Sequence, residues 1–333
     1  MTKIYHQNHK EILFEIFRCF ILMTLLVYES SAYSQTYPSR PLKWIITHAA
    51  GGLPDTVARI YAQKLGDQIG QPVIIDNKPG ANGTNAAQAL ALAPIDGYTF
   101  LVTDGSTFSI NPLMYKNLSY DYKRDFVPIS LIARAPLYLA VNPKMGVRNF
   151  QEFIAKIKDN PGKFSYGSSG IGSTHHLSML ALMKASSLEM VHIPYKGSAQ
   201  SVPALIGSQV EVLFSALPSL SGFVKTGQVQ LIASNASKRS NQEPNVPTIS
   251  EFISGFDLAP IIGLLSARGT PQESINKINE EINMLAKSPD IIESLKLVGV
   301  DANGGSPQEF SKALEMEINR FSKIIQEAQL KVN

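Results

Sequence analysis

The chain has 333 residues, 44% of them hydrophobic, with 30 Lys+Arg against 27 Asp+Glu and a formal charge of +3. That apolar content offsets chain entropy and excludes a disordered chain. The lack of any Lys/Arg run excludes a strongly basic nucleic-acid binder. The length corresponds to about two domains.

The first element is a leader. Phe20 to Val27 reads FILMTLLV, with Lys3, Lys10 and Arg18 upstream and small residues at Ala32 and Ser34. This is the pattern of a secretory signal peptide over residues 1–34, cleaved after Ser34. A membrane anchor is the competing reading, but spanning takes about 20 apolar residues, and Glu15, Arg18 and Glu29 interrupt the segment. Cys19 is the only cysteine, so an exported mature chain carries no disulfide.

From Leu42 onward, strands and helices alternate. Leu42–Thr47 is a short apolar run ended by Ala-Ala-Gly-Gly, a buried strand and then a turn. Pro54 suits a first helical position. Val57, Ile60, Tyr61, Leu65 and Ile69 then recur at helical spacing. Val73–Asp76 predicts a strand, Thr84–Ala93 a helix and Thr99–Thr103 a strand, the grammar of an open α/β sheet. Leu137–Val141 is a further strand, and Phe150, Phe153, Ile154 and Ile157 make a helix face. Ser165–Gly167, Val191–Ile193, Val210–Phe214 and Val229–Ala233 read as strands, with a helix at Thr174–Ala185. Gln272–Lys287, Pro289–Leu297 and Gln308–Leu330 read as helices. With no Pro/Gly/Ser-rich linker anywhere, the domains are expected to share the chain, which crosses between them more than once.

Two glycine-containing loops carry the chemistry. The first runs from His48 through Ala49, Ala50, Gly51, Gly52, Leu53 and Pro54 to Asp55. The second is Ser168, Ser169, Gly170, Ile171, Gly172, Ser173 and Thr174. Each joins a strand to a helix. Glycine allows successive N–H groups to point at one spot, and the following helix adds unpaired N–H groups and a partial positive charge. Such a loop can hold an anion without a cationic side chain, with hydroxyls at Ser168, Ser169, Ser173 and Thr174 as further donors. Each loop also reads as an ordinary turn that needs glycine in any case. Asp55 reads most simply as complementing the helix dipole.

Other motifs fail on spacing. Gly167-Ser168-Ser169-Gly170 misses the Gly-x-Ser-x-Gly elbow by one residue. No Gly-x-Gly-x-x-Gly or Walker loop is present. Beyond the leader only His48, His175, His176 and His192 remain, with no cysteine, so no metal site is expected. No cofactor and no catalytic residue are expected either. An exported serine hydrolase using Ser169 or Ser173 with His175 or His176 stays as the alternative.

The chain resembles the tripartite tricarboxylate transporter receptor family, the Bug-type periplasmic solute-binding proteins. The resemblance rests on Pro38-Ser39-Arg40-Pro41-Leu42, Ala50-Gly51-Gly52 with Asp55 and Ala58-Arg59, and Asn77-Lys78-Pro79-Gly80-Ala81-Asn82-Gly83. It continues through Asp96-Gly97-Tyr98-Thr99, Tyr166-Gly167-Ser168-Ser169-Gly170, Pro194-Tyr195-Lys196-Gly197 and Val246-Pro247-Thr248. It implies an α/β, two-lobed periplasmic-binding-protein fold of type II character, each lobe a mixed or parallel sheet flanked by helices, with a cleft between. Lobe 1 would be residues 37–139 plus 263–333 and lobe 2 residues 140–262. The two loops would grip a small organic carboxylate, with Ser106 and Thr107 near its other end and Ala216 as a wall. The implied partners are the membrane permease subunits of such a transporter, the receptor itself being a periplasmic monomer. A ligand-sensing role without transport is the other option. Where the family usually has Pro then Phe or Tyr before the first loop, this chain has Thr47 and His48. His48 is therefore expected either to favour a second acidic group on the ligand when protonated, or simply to fill the aromatic slot.

Overall fold

The computed structural model describes Phe17, Arg18 and residues 37–330. The leader expected over residues 1–34 and its cleavage after Ser34 lie, those two residues apart, outside the described part. The chain divides near Ser39, and the described residues from Arg40 on form one compact unit, the second of the two. Among the described residues, all the strands lie in the second.

The second unit contains two sheets. In the first, β1 (Leu42–Ile46) lies between β2 (Val73–Asn77) and β3 (Thr99–Asp104), parallel to both. Leu42, Trp44, Ile45 and Ile46 are buried, as a central parallel strand covered on both faces requires. The helix α1 (Leu53–Ile69) follows β1, with Pro54 in its first turn and left-handed Gly70 closing it. The helix α2 (Thr84–Ala91) follows β2. After β3 come two short helices, α3 (Ser106–Ser109) and α4 (Asn111–Met114), and then α5 (Tyr122–Asp125).

The sheet is completed by β4 (Phe126–Arg134) and β10 (Ile261–Ala267), which pair antiparallel with each other, β10 also pairing with β3. Sequence periodicity assigned no strand to either segment. In β4 the obstacle is Pro128, which cannot donate to a ladder. It sits beside a bulge in the pairing with β10. The far neighbour, β11 (Asp301–Ala302), reaches only Arg134 and Ala133, so the Pro128 end of β4 is an open edge where a missing N–H is tolerated.

The second sheet has the order β7-β6-β8-β5-β9. These strands are β5 (Leu137–Val141), β6 (Ser165–Ser168), β7 (Val191–Pro194), β8 (Val212–Ala216) and β9 (Gln230–Ser234). Pairing is parallel around β6 and antiparallel around β5. The helices α6 (Phe150–Lys158), α7 (Thr174–Ser186), α8 (Ser198–Ile206) and α9 (Leu217–Lys225) connect them. The chain ends in α10 (Gln272–Leu285), α11 (Pro289–Leu297) and α12 (Pro307–Glu327). Observed ends differ from the predicted ones by a few residues, where fraying and last-turn geometry decide.

The chain passes between the sheets at Ala135-Pro136 and returns at Ala259-Pro260. The expected borders at 139/140 and 262/263 fall inside β5 and β10, and ladder hydrogen bonds keep each of those strands whole. Ala135 N–H donates to Pro260 O at 2.9 Å, joining the two crossings. Buried Asn235 clamps them from the second sheet: its Oδ1 accepts from Leu137 N–H, and its Nδ2 donates to Leu258 O. The helix α12 bridges both halves. Phe310 and Leu314 pack with the first sheet's core, while Phe321 and Ile325 join the second sheet's core together with Ile110 and Met114.

Candidate ligand-binding cleft

Both loops identified from sequence leave the C-terminal ends of parallel strands, β1 and β6, and enter the N-termini of α1 and α7. Their internal bonding decides which groups face outward. In the first loop Gly51 N–H donates to Asp55 Oδ2 (2.8 Å) and Gly52 N–H to Ala49 O (3.0 Å). Asp55 Oδ1 also accepts from Asn77 Nδ2 (2.8 Å), and its carboxylate from Arg59 Nε (3.0 Å). Asn77 Nδ2 donates as well to His48 O (2.9 Å). Burial pushes the Asp55 carboxyl up. The hydrogen bonds from Arg59, Asn77 and Gly51 outweigh it and hold the group below its ordinary value. Asp55 is thus turned inward and shapes the loop; the expectation that it contacts ligand gives way to a positioning role.

The second loop is bonded in the same manner. Gly170 N–H donates to Ser168 Oγ (3.1 Å) and Gly172 N–H to His176 Nδ1 (3.1 Å). Ser173 Oγ donates to Gly170 O (2.8 Å) and caps α7 by accepting from His176 N–H (3.2 Å). Gly172 holds φ +77°, and a Cβ there would sit 3.0 Å from Met114 Cε. The left-handed φ favours glycine, while the Met114 methyl, at the end of a flexible side chain, could shift aside.

The N–H groups of Gly51, Gly52, Gly170 and Gly172 are spent inside the loops, so the glycines supply shape. The N–H groups of Ala49, Ala50 and Leu53 in one loop, and of Ser169, Ile171, Thr174 and His175 in the other, have no acceptor among the described residues. The hydroxyl of Ser169 is buried and without a partner among them. Ser168 and Ser173, by contrast, are occupied within the loop.

Asp104, at the end of β3, stands between the loops. Its Oδ2 lies 3.6 Å from His48 Nε2 of the first loop, and its charge acts on His175 of the second. Ser106 Oγ donates to Asp104 Oδ1. Thr107 Oγ1 bonds Thr103 Oγ1 at 2.8 Å, which accepts from Thr47 Oγ1 at 3.2 Å. Thr47 Oγ1 is 2.9 Å from His48 Nδ1. The expected third loop therefore takes part, but its two hydroxyls are bonded into the protein. Behind it, Glu317 of α12 accepts from Ser109 Oγ at 2.9 Å. It lies so close to Gly105 that a Cβ there would be 2.3 Å from its Oε1. Burial, helped by the Asp104 charge, raises the Glu317 carboxyl to about 8, so it is largely protonated at neutral pH. Ala216, the expected wall, ends β8 and caps α9. Its neighbour Pro218 lies against Gly299, where a Cβ would be 2.4 Å from Pro218 Cδ, so this turn meets the first half of the molecule.

The Ser169 or Ser173 pairing with His175 or His176 that a hydrolase would use is not seen among the described residues. Neither Ser169 nor Ser173 bonds an imidazole. The Ser–His bond that forms is Ser168 Oγ to His192 Nε2 at 2.7 Å, and Ser168 is fully buried. His192 stacks between His176 (4.0 Å) and Tyr166 (4.8 Å). Burial lowers His176 to about 4, with the nearby His192 adding to it, and burial also lowers His192. Burial lowers His175 to about 4, against the pull of Asp104. These rings stay neutral and pack. Among the described residues no group of His, Cys, Asp and Glu is arranged to hold a metal ion.

Two α/β halves joined by paired crossings, with a glycine loop and helix N-terminus of each half brought beside Asp104, define a two-lobed solute-binding protein. Residues 57–330 match the family described as the tripartite tricarboxylate transporter family receptor. The chain belongs to that family. A UPF0065 protein of Bordetella pertussis is 35% identical over 318 residues, 95% of this chain and 98% of that protein. An R. palustris protein solved with adipate superposes with a TM-score of 0.78 at 31% identity, covering 89% of this chain and all of the other. The periplasmic binding protein BugD superposes with a TM-score of 0.73 at 28% identity, with the same coverage.

Proposed function

We propose that this receptor captures a small organic carboxylate between the loops at 48–55 and 168–174 and hands it to the membrane permease of its transport system. The observation that carries the reading is the set of unpaired amides on both loops, together with the buried, partnerless Ser169 hydroxyl. Each set lies at the N-terminus of a helix, α1 or α7, where a carboxylate gains from aligned N–H groups. The donors are neutral, which suits a ligand that must later be released; a buried Arg or Lys pair would stabilise the anion more strongly. The lobes are residues 40–134 with 261–330, and 137–259, turning about the paired crossings. A ligand held by both loops favours the closed form by the contacts it makes only there. Ala49, Ala50, Ser169 and Thr174 are the groups that meet the carboxylate, while Gly51, Gly52, Gly170 and Gly172 shape the loops. Export through the leader cleaved after Ser34 and action as a periplasmic monomer complete the reading. Adipate in the R. palustris relative supports a carboxylate as the ligand class.

Thermal-shift screening against small carboxylates tests this. A ligand at 100 times its Kd stabilises by about 2.7 kcal/mol, worth a rise of about 4 °C for a chain of about 300 residues. Ser169→Ala should weaken binding about tenfold. A panel that leaves the melting temperature unchanged refutes the reading.

A further inference from the structure

The cleft carries an acidic group that a receptor for simple anions has no use for. Asp104 Oδ1 is occupied by the Ser106 hydroxyl. Its Oδ2 faces His48 Nε2 at 3.6 Å, beyond hydrogen-bond length. The side chain is 20% exposed, yet no Lys or Arg pairs with it among the described residues. The nearby carboxyl of Glu317 gives no counter-charge, and its buried Oε2 has no partner.

The hydroxyl chain behind His48 sets what the imidazole offers. Thr103 Oγ1 donates to Asp104 O (2.8 Å), and Thr47 Oγ1 donates to Thr103 Oγ1. With the Thr47 proton used in that way, its oxygen is left to accept from His48 Nδ1–H in the tautomer that carries a proton there. A neutral His48 held in that tautomer presents a bare lone pair at Nε2. Two acceptors, Nε2 and Asp104 Oδ2, then lie 3.6 Å apart beside the first loop, with the Asp104 charge also acting on His175 of the second. A ligand carboxylate placed there would meet lone pairs and a negative charge. An ammonium would supply donors to both and the missing counter-charge.

We infer that Asp104 and His48 are the specificity-determining residues of the cleft, and that its ligand is a zwitterion carrying an ammonium group as well as the carboxylate: an amino acid rather than a plain dicarboxylate. The inference rests on the carboxylate-receptor reading above and narrows it. An ammonium there makes charge-assisted hydrogen bonds that a plain carboxylate cannot, and a site built to pair such a group rejects ligands that lack its counterpart.

Isothermal titration with matched ligands tests the assignment. Glutarate is set against glutamate, glutarate against 4-aminobutanoate, and adipate against 5-aminopentanoate. The ammonium-bearing member should bind at least tenfold more tightly in at least one pair, a difference of about 1.4 kcal/mol. Asp104→Asn should erase that preference by weakening the zwitterion about tenfold while leaving the dicarboxylate unchanged or tighter. His48→Phe, which removes one acceptor and restores an aromatic, should lower the same ratio severalfold. It also serves as the second variant should Asp104→Asn fail to fold. A dicarboxylate preferred in every pair overturns the inference, as does a ratio that neither variant changes, and in both cases the carboxylate-receptor reading stands. Binding of simple monocarboxylates alone overturns the inference in the same way. If no carboxylate of any kind binds, both readings fall.

Discussion

Asp55 organises the first loop from behind, so removing it should damage a site it does not touch. In Asp55→Ala, Gly51 N–H and Asn77 Nδ2 lose a charged acceptor at 2.8 Å each. Hydrogen bonds to charged groups contribute about 1.5–3 kcal/mol each. Gly51 is exposed and its N–H can be rehydrated. Arg59 is half-exposed, so its ion pair adds little. The net loss is about 2–3 kcal/mol, which lowers the melting temperature by about 3–5 °C. Asp55→Asn keeps the shape and one acceptor oxygen, so it should lose about half of that. The pH dependence has a definite sign. The folded-state carboxyl lies below its ordinary value of 3.8, so the stabilisation is present above that value and is lost as pH falls through the lower, folded one. The gap between wild type and Asp55→Ala should therefore narrow below about pH 4. Calorimetric melts between pH 3 and 7, alongside titration with whichever carboxylate binds, make the assay. Ligand affinity should fall at least tenfold, because the amides of Ala49, Ala50 and Leu53 are no longer held in place. A variant that melts within about 1 °C of wild type and binds normally would refute the positioning role.

Two further outcomes are expected. Glu317 is raised from its ordinary value of 4.5 to about 8 by burial. The folded state therefore holds a proton that the unfolded state releases, and the contribution is full below pH 4.5, declines across the window from 4.5 to 8 and is gone above it. Glu317→Gln should flatten that decline in melting temperature, and an unchanged pH profile would count against a protonated Glu317. Gly172→Ala places a side chain at φ +77° with Met114 Cε at 3.0 Å. A loss of about 1–2 kcal/mol is expected from the left-handed backbone alone, read as a lower urea midpoint; a wild-type midpoint would show that the turn tolerates a side chain.

What was legible in the sequence was local. Apolar runs marked β1, β3 and β5, helical spacing marked α1 and α6, and each glycine loop was visible because strand, turn and helix start within about ten residues of one another. The strands β4 and β10 were not legible: Pro128 hides one, and both owe their identity to pairing partners more than 100 residues apart in the chain, such as Leu264 with Ser130. The candidate cleft divides in the same way. The presence of candidate anion-binding loops follows from their composition, and the substitution of Thr47 and His48 for Pro and an aromatic from the family resemblance. Which amides stay free depends on side chains that reach in from elsewhere. Asn77 completes the first loop from 22 residues beyond Asp55, and Ser168 is bonded to a histidine 24 residues on. Asp104 and Glu317 carried no pattern at all. Asp104 ends an otherwise ordinary strand and Glu317 sits on a long amphipathic helix, and Glu317 reaches Ser109 across 208 residues. Periodicity reports which face of an element is apolar. Charge state, hydrogen-bond occupancy and the meeting of two loops arise only once distant segments enclose a common space and exclude water from it.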